Sequence, residues 1–186
     1  ATQSLGLYGF ANLAFKEYLY ITAGGRNSWS SNLEQNNRSI FYPNVSASFI
    51  PTSAFKALEN SKVVNYLKLR AGYSTSANFG QPYSTRPVLT LGPRVFEDRA
   101  GSPISTNFIS NRLANPDLRA ELQKEFEVGI ETRLFNNRLN LDLTFYRRVA
   151  DNQILDRELD PASGFTVQSI NAGAVRTKGI EAAAGY

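Results

Sequence analysis

The chain has 186 residues, a formal net charge of +4, and neither cysteine nor histidine. That composition excludes disulfides, thiolate or imidazole metal sites, a cysteine nucleophile and a Ser-His-Asp triad within this stretch. Its basic residues are dispersed rather than striped, which argues against nucleic acid as a partner, and no run approaches the roughly 18 apolar residues of a transmembrane helix.

Methionine is absent even at position 1, so the chain reads as a processed or excised piece of something longer. Seven stretches alternate apolar and polar residues with period two, the mark of side chains pointing to opposite faces of a strand. SLGLYGFANLAF, residues 4–15, puts Leu5, Leu7, Ala11, Leu13 and Phe15 on one face and Tyr8, Phe10 and Asn12 on the other. A tight turn at Lys16-Glu17 leads into YLYITAGGRN, where Leu19, Ile21 and Ala23 share a face. IFYPNVSASFI sets Phe41, Val45, Ala47 and Phe49 against Tyr42, Asn44, Ser46 and Ser48. Residues 52–66, TSAFKALENSKVVNY, are the one place where the pattern predicts a short helical turn. YLKLRAGYST sets Leu67, Leu69, Ala71 and Tyr73 against Lys68, Arg70 and Ser74. EFEVGIETRLF sets Phe126, Val128, Ile130 and Leu134 against Glu127, Glu131 and Arg133. After a turn at Asn136-Asn137, Leu139, Leu141, Leu143 and Phe145 alternate with Asn140, Asp142, Thr144 and Tyr146. AGAVRTKGIEAAAGY is the last run.

Several runs are about ten residues long; globular strands more often have about 5–6, whereas a tilted transmembrane strand needs about 9–11. The polar faces carry charges in mid-strand, and the apolar faces read as uncharged. Segments 28–39, 76–124 and 151–172 are long and rich in Gly, Pro, Asn and Ser, and an up-and-down chain puts all three at one end. The tight turns fall at the other end, with residues 52–65 a medium-length exception. Outer-membrane barrels have this asymmetry, while a compact soluble domain rarely tolerates so long a connection. The expected fold is all-β: an antiparallel up-and-down transmembrane β-barrel segment, about seven strands of a larger barrel, with residues 1–186 forming one part of the barrel domain. On that reading Leu141→Arg cripples assembly and Asp142→Arg is tolerated. The alternative is a soluble β-sandwich carbohydrate-binding module of a larger secreted protein, whose loop Tyr and Phe would stack on sugar rings.

Five motifs in one order resemble an internal part of the barrel of SusC/RagA-type TonB-dependent outer-membrane transporters, known from Bacteroidetes. They are FYPNVSASF from Phe41, LKLRAGYSTSAN from Leu67, NPDLRAE from Asn115, EVGIETRLFNNRLNLDLTFYRR from Glu127 and NAGAVRTKGIEAAAGY from Asn171. The chain departs from the family pattern at Ala120, where Trp is usual, at Ala77, where Gly is usual, and at Ala182, Ala183 and Ala184, where larger residues alternate. The resemblance implies energy-coupled uptake of glycan or peptide through a barrel set in outer-membrane lipid. It also implies a plug domain and terminal strands outside this chain, a SusD-like surface lipoprotein over the mouth, and a TonB-type periplasmic protein acting through the plug. No cofactor is implied.

Candidate residues follow from both readings. Lys68, Arg70, Glu127, Glu131 and Asp142 are expected to face the lumen, with Lys68 and Arg70 near Glu127 and Glu131 if the fourth and fifth runs pair. They would either grip solute or balance one another as a ladder. Tyr83, Arg94, Phe96, Arg99 and Phe108, in the segment 76–124, are the candidates for ligand or partner contact, a mixture suited to a wet interface. NPDLRAE reads either as a ligand-facing loop or as punctuation anchored by Leu118. Gly72, Gly129 and Gly179 mark either close approach of a plug or ligand, or relief of strand crowding. DRELD at 156–160, with Asp151, has carboxylates for calcium but lacks the spacing and turn glycine of a calcium loop. Glu97-Asp98 and Glu158 are only loose candidates for a hydrolytic pair. No catalytic residue and no metal site is expected, and the protein reads as a transporter rather than an enzyme.

Overall fold

All seven alternating runs are strands, and together they build one antiparallel sheet. The computed structural model describes residues 2–59 and 61–186, without the side chains of Glu59, Pro93, Arg94, Val95 and Ser105. The wall strands are β1 (Ser4–Phe15), β2 (Leu19–Ser30), β3 (Ser39–Phe49) and β4 (Val64–Asn78). Two four-residue helices, α1 (Pro51–Ala54) and α2 (Lys56–Glu59), lie between β3 and β4. The long connection after β4 carries β5 (Leu89–Glu97), β6 (Pro103–Ile109) and β7 (Arg112–Leu113). The wall resumes with β8 (Glu121–Leu134) and β9 (Leu139–Asp151), and the next connection holds β10 (Ile154–Glu158), a 3-10 turn (Pro161–Ser163) and β11 (Val167–Asn171) before the last wall strand, β12 (Ala174–Gly185). The sheet order is β1-β2-β3-β4-β8-β9-β12, so each wall strand pairs with the next one in the chain.

The register preserves the two faces across the sheet. Leu69, Ile130, Leu143 and Ala182 stand in one row, and Lys68, Glu131, Asp142 and Ala183 in the row beside it. A slip of one residue would exchange them. The apolar face is bare: Leu7 is 70%, Leu13 67% and Ile180 72% exposed. In a sandwich these residues would be the core. Among the described residues no second sheet packs on them, because the two smaller sheets, β5-β6 and β10-β11-β7, belong to the long connections. The sandwich reading therefore fails, and the bare face needs lipid to make it favourable.

The only buried apolar cluster among the described residues is Leu33, Leu118 and Ala120, with Ile40, Phe79 and Ile154 against it. It lies where the three long connections converge. At the opposite end an edge-to-face chain of rings runs Phe15, Tyr18, Phe49, Phe55, with centroids 5.6, 6.0 and 6.2 Å apart. Such a row suits one rim of an apolar band.

Two sequence expectations need correction. The long connections span 31–38, 79–120 and 152–173, the first two shorter than read, and the second and third carry strands of their own. A bulge between Leu91 and Val95 breaks the alternation of β5, and β7 is two residues held by parallel pairing to β11, a contact no local pattern announces. The predicted helical turn is present, as two short helices, the first opened by Pro51. Nor is the apolar face wholly uncharged: the register puts Lys124, Arg147, Asp151, Arg176 and Lys178 on it. All five lie toward the long-connection end.

Candidate functional site: a charged face and a braced loop end

The charged face is where the sequence-predicted lumen residues meet. Lys68 lies 3.8 Å from Glu131, and Arg70 Nε lies 3.5 Å from Glu127. The strongest link reaches one strand further. Arg70 donates from Nη1 and Nη2 to the two oxygens of Asp142, at 2.9 and 2.7 Å, and from Nη2 to Thr144 Oγ1. β8 lies between β4 and β9, so the guanidinium must cross it. It does so at Gly129, the register partner of both Arg70 and Thr144. A Cβ there would stand 2.5 Å from Arg70 Nε. Gly179 likewise leaves room for the Tyr146 ring, while Gly72 has no close neighbour. Two of the three glycines therefore relieve strand crowding by opening slots for cross-strand side chains, and only the side chains that use the slots escaped the sequence reading. A glycine in the row between an arginine and a threonine was the available signal.

The same face continues with Arg148 on Glu125 at 2.5 Å, Arg133 3.8 Å from Glu131, and Arg133 over the Tyr66 ring at 5.1 Å. Opposite charges alternate along it, so the wall balances its own charge. Two surface concavities lie against this face; one is lined by Lys68, Arg70, Glu125 and Glu127, the other by Glu131, Arg133, Asn140 and Asp142.

Side chains also brace the long-connection end. Arg112 makes a two-pronged contact with Asp156, at 2.5 and 2.8 Å, and bonds Ser169 Oγ at 2.6 Å, locking β7 to β10 and β11. Arg86 grips Glu34 at 2.6 and 2.7 Å, tying the second connection to the first. Asn115 donates to the carbonyl of Ser169, and Asn171 exchanges two hydrogen bonds with the backbone of Arg119. Within NPDLRAE the Asn115 side chain accepts from the amide of Asp117, and Leu118 is fully buried. That motif is an anchor. Ala120 beside it is buried too, in a cluster already filled by its neighbours. Arg86 and Arg112 are spent on bracing.

The acidic run does not gather. Asp156 faces Arg112, Asp151 faces Lys124, and Asp160 accepts from the amide of Ala162. Among the described residues no group of three or more acidic side chains is placed to hold a metal. Hydrogen bonds from Arg112 and Ser169 hold the Asp156 carboxyl down at about 2, and Arg86 holds that of Glu34 at about 2. A carboxyl lowered by folding stabilises the structure above its unfolded value, near 4, and loses that contribution as pH falls toward 2. The loop braces are therefore expected to hold from neutral pH to about pH 4 and to loosen by about pH 2. Hydrogen exchange at the amides of β7 and β11 should rise over that window, and Asp156→Asn should raise it already at neutral pH.

The contact candidates are scattered. Phe96 pairs with Ile104 across the β5-β6 hairpin, and Phe108, four residues on, shares that face; Phe96 is 60% and Phe108 49% exposed. Arg99 sits at the hairpin tip, whose turn is closed by Asp98 accepting from Ala100 and Ser102. Tyr83, which precedes the hairpin in the chain, is half-exposed, with φ of 63°. The Arg94 side chain lies outside the described set.

The whole chain, residues 1–186, matches the family model for TonB dependent receptor-like β-barrels. It is 29% identical over 181 residues to TonB-dependent receptor P26 of Formosa agariphila and 27% identical over 182 residues to receptor P3 of the same organism, covering 96% and 97% of this chain. Among solved structures it resembles the RagAB peptide importer in its closed-closed state, with a TM-score of 0.84 and 28% identity over 97% of this chain and 19% of that one. It spans only 18% of the length of either Formosa receptor. A continuous antiparallel wall with one bare apolar face, matched end to end by that model, makes this chain a stretch of outer-membrane barrel belonging to the TonB-dependent receptor family, of the SusC/RagA type.

Proposed function

We propose that this stretch of wall serves an energy-coupled importer of glycans or peptides. The observation that carries the reading is the pairing of two opposite faces on one continuous sheet, one bare and apolar, the other charged and self-balanced. Likeness to the RagAB peptide importer supports it. The apolar face meets lipid, and the face with Lys68, Arg70, Glu127, Glu131 and Asp142 lines a lumen that a plug occupies. Paired charges keep that wall wet without holding a net charge against passing solute. The tight turns lie on the periplasmic side and the braced connections outside the cell. A SusD-like lipoprotein closes over the braced end, and a TonB-type protein pulls the plug from below to release solute inward. No residue here does chemistry, so the solute passes unchanged.

The β5-β6 hairpin, with Phe96, Phe108 and Arg99, is the part of this chain offered to ligand or lipoprotein, and Tyr83 stands at its foot. Its ends are already joined, since Ser110 donates to the carbonyl of Val88 at 3.2 Å. Replacing residues 89–109 by a short Gly-Ser link in the intact transporter is expected to leave the barrel assembled and to lower uptake or lipoprotein capture severalfold. Unchanged uptake and capture would leave the hairpin as mere rim covering. Cysteines placed on it should label from outside intact cells, and labelling only after the outer membrane is opened would invert the orientation.

A further inference from the structure

Three of the charges on the apolar face, all cations, form a cluster without anionic partners. Arg147 on β9 and Lys178 on β12 are register partners, directly opposite each other on that face, and Arg176 is two residues from Lys178. Among the described residues none of the three side chains has a hydrogen bond or ion pair, and all three are exposed. The nearest carboxylate on the same face, Asp151, is held by Lys124 at 2.7 Å. Like charges directly across a strand pair have Cβ atoms about 4.5–5.5 Å apart and destabilise it. A shared anion reverses that sign.

The position of the cluster says which anion. The row holding Arg147 and Lys178 continues through Phe126 and Tyr73 on the same face, the amphipathic and aromatic residues of a membrane interface. One step toward the opposite end the row turns apolar, with Phe145 and Ile180. Cations beside aromatics at the upper edge of an apolar band lie at headgroup depth, where arginine binds phosphate in a two-pronged fork. The geometry points to a site for the phosphate of an outer-leaflet lipid, bridged by Arg147 and Lys178 and flanked by Arg176. This rests on the membrane orientation proposed above.

The test uses the full-length transporter in dodecyl maltoside, titrated with monophosphoryl lipid A and read by native mass spectrometry. The wild type should retain the lipid. At about 1 kcal/mol for each basic residue near a membrane surface, Arg147→Gln with Lys178→Gln should weaken retention about thirtyfold. Arg147→Lys, which keeps the charge but not the fork, should retain more lipid than Arg147→Gln and less than the wild type, and Arg176→Gln, which leaves the opposed pair in place, should lose less than the double variant. Heat-modifiable mobility on gels checks that each variant is folded. Equal retention by wild type and the folded double variant overturns the site. Displacement of the lipid by millimolar inorganic phosphate overturns the lipid as its occupant. A fluorophore on Leu143→Cys, quenched by brominated acyl chains, tests the orientation separately: quenching with equal retention refutes the site alone, and no quenching refutes the orientation with it.

Discussion

Arginine at Ala182 is expected to block assembly of the intact barrel, while arginine at the next residue, Ala183, is expected to be accepted. The two positions share residue type, strand and neighbourhood and differ only in face. Ala182 is the register partner of Leu143, in a row with Ile130 and Leu69 near the middle of the apolar band. An arginine at the bilayer midplane of a barrel strand costs roughly 2–4 kcal/mol. Ala183 is the partner of Asp142, beside Glu131, so an added guanidinium there meets carboxylates and water. Heat-modifiable mobility and cell-surface density would be read for both variants. Equal failure of the two would refute the assignment of faces. Leu141→Arg belongs with Ala182→Arg, since Leu141 shares the apolar face. Asp142→Arg, which the bare alternation marks as harmless, is a poor control: Asp142 is the carboxylate that Arg70 grips, and the change would set two guanidinium groups together.

The wall was legible because its physics is local. Period-two alternation and tight turns such as Asn136-Asn137, where both residues have positive φ, decide strand, face and neighbour without distant information. Pairing of Lys68 and Arg70 with Glu131 and Glu127 followed from that order alone. The link from Arg70 to Asp142 did not, because it depends on a gap left by Gly129 in an intervening strand. The loop end was the least legible. The parallel contact of β7 with β11 joins residues more than fifty positions apart, and Arg86 is held by Glu34 from another connection. The cationic patch was missed because reading stopped at Phe145, one step of the alternation short of Arg147.

Leu118→Ala is expected to release the loop end without opening the wall. Leu118 is fully buried, packed with Leu33 and Ala120 and flanked by Ile40, Phe79 and Ile154, which draw the three long connections together. Truncating a buried leucine costs about 2–5 kcal/mol, depending on how far the surroundings collapse. This cluster is small and all of its lining except Ile40, on β3, comes from segments outside the main hydrogen-bonded ladder, so most of the loss should fall on the connections. The amides of β7, β10 and β11 should exchange at least about thirtyfold faster, by the lower end of that range. The ladder from β1 to β12 needs none of these contacts, so exchange there and heat-modifiable mobility should hold. Leu118→Met, close in volume, should cost less than about 1.5 kcal/mol. Accelerated exchange across the wall strands as well would mean that loops and wall open as one cooperative unit, and that the braced end is part of what holds the barrel rather than a separable platform above it.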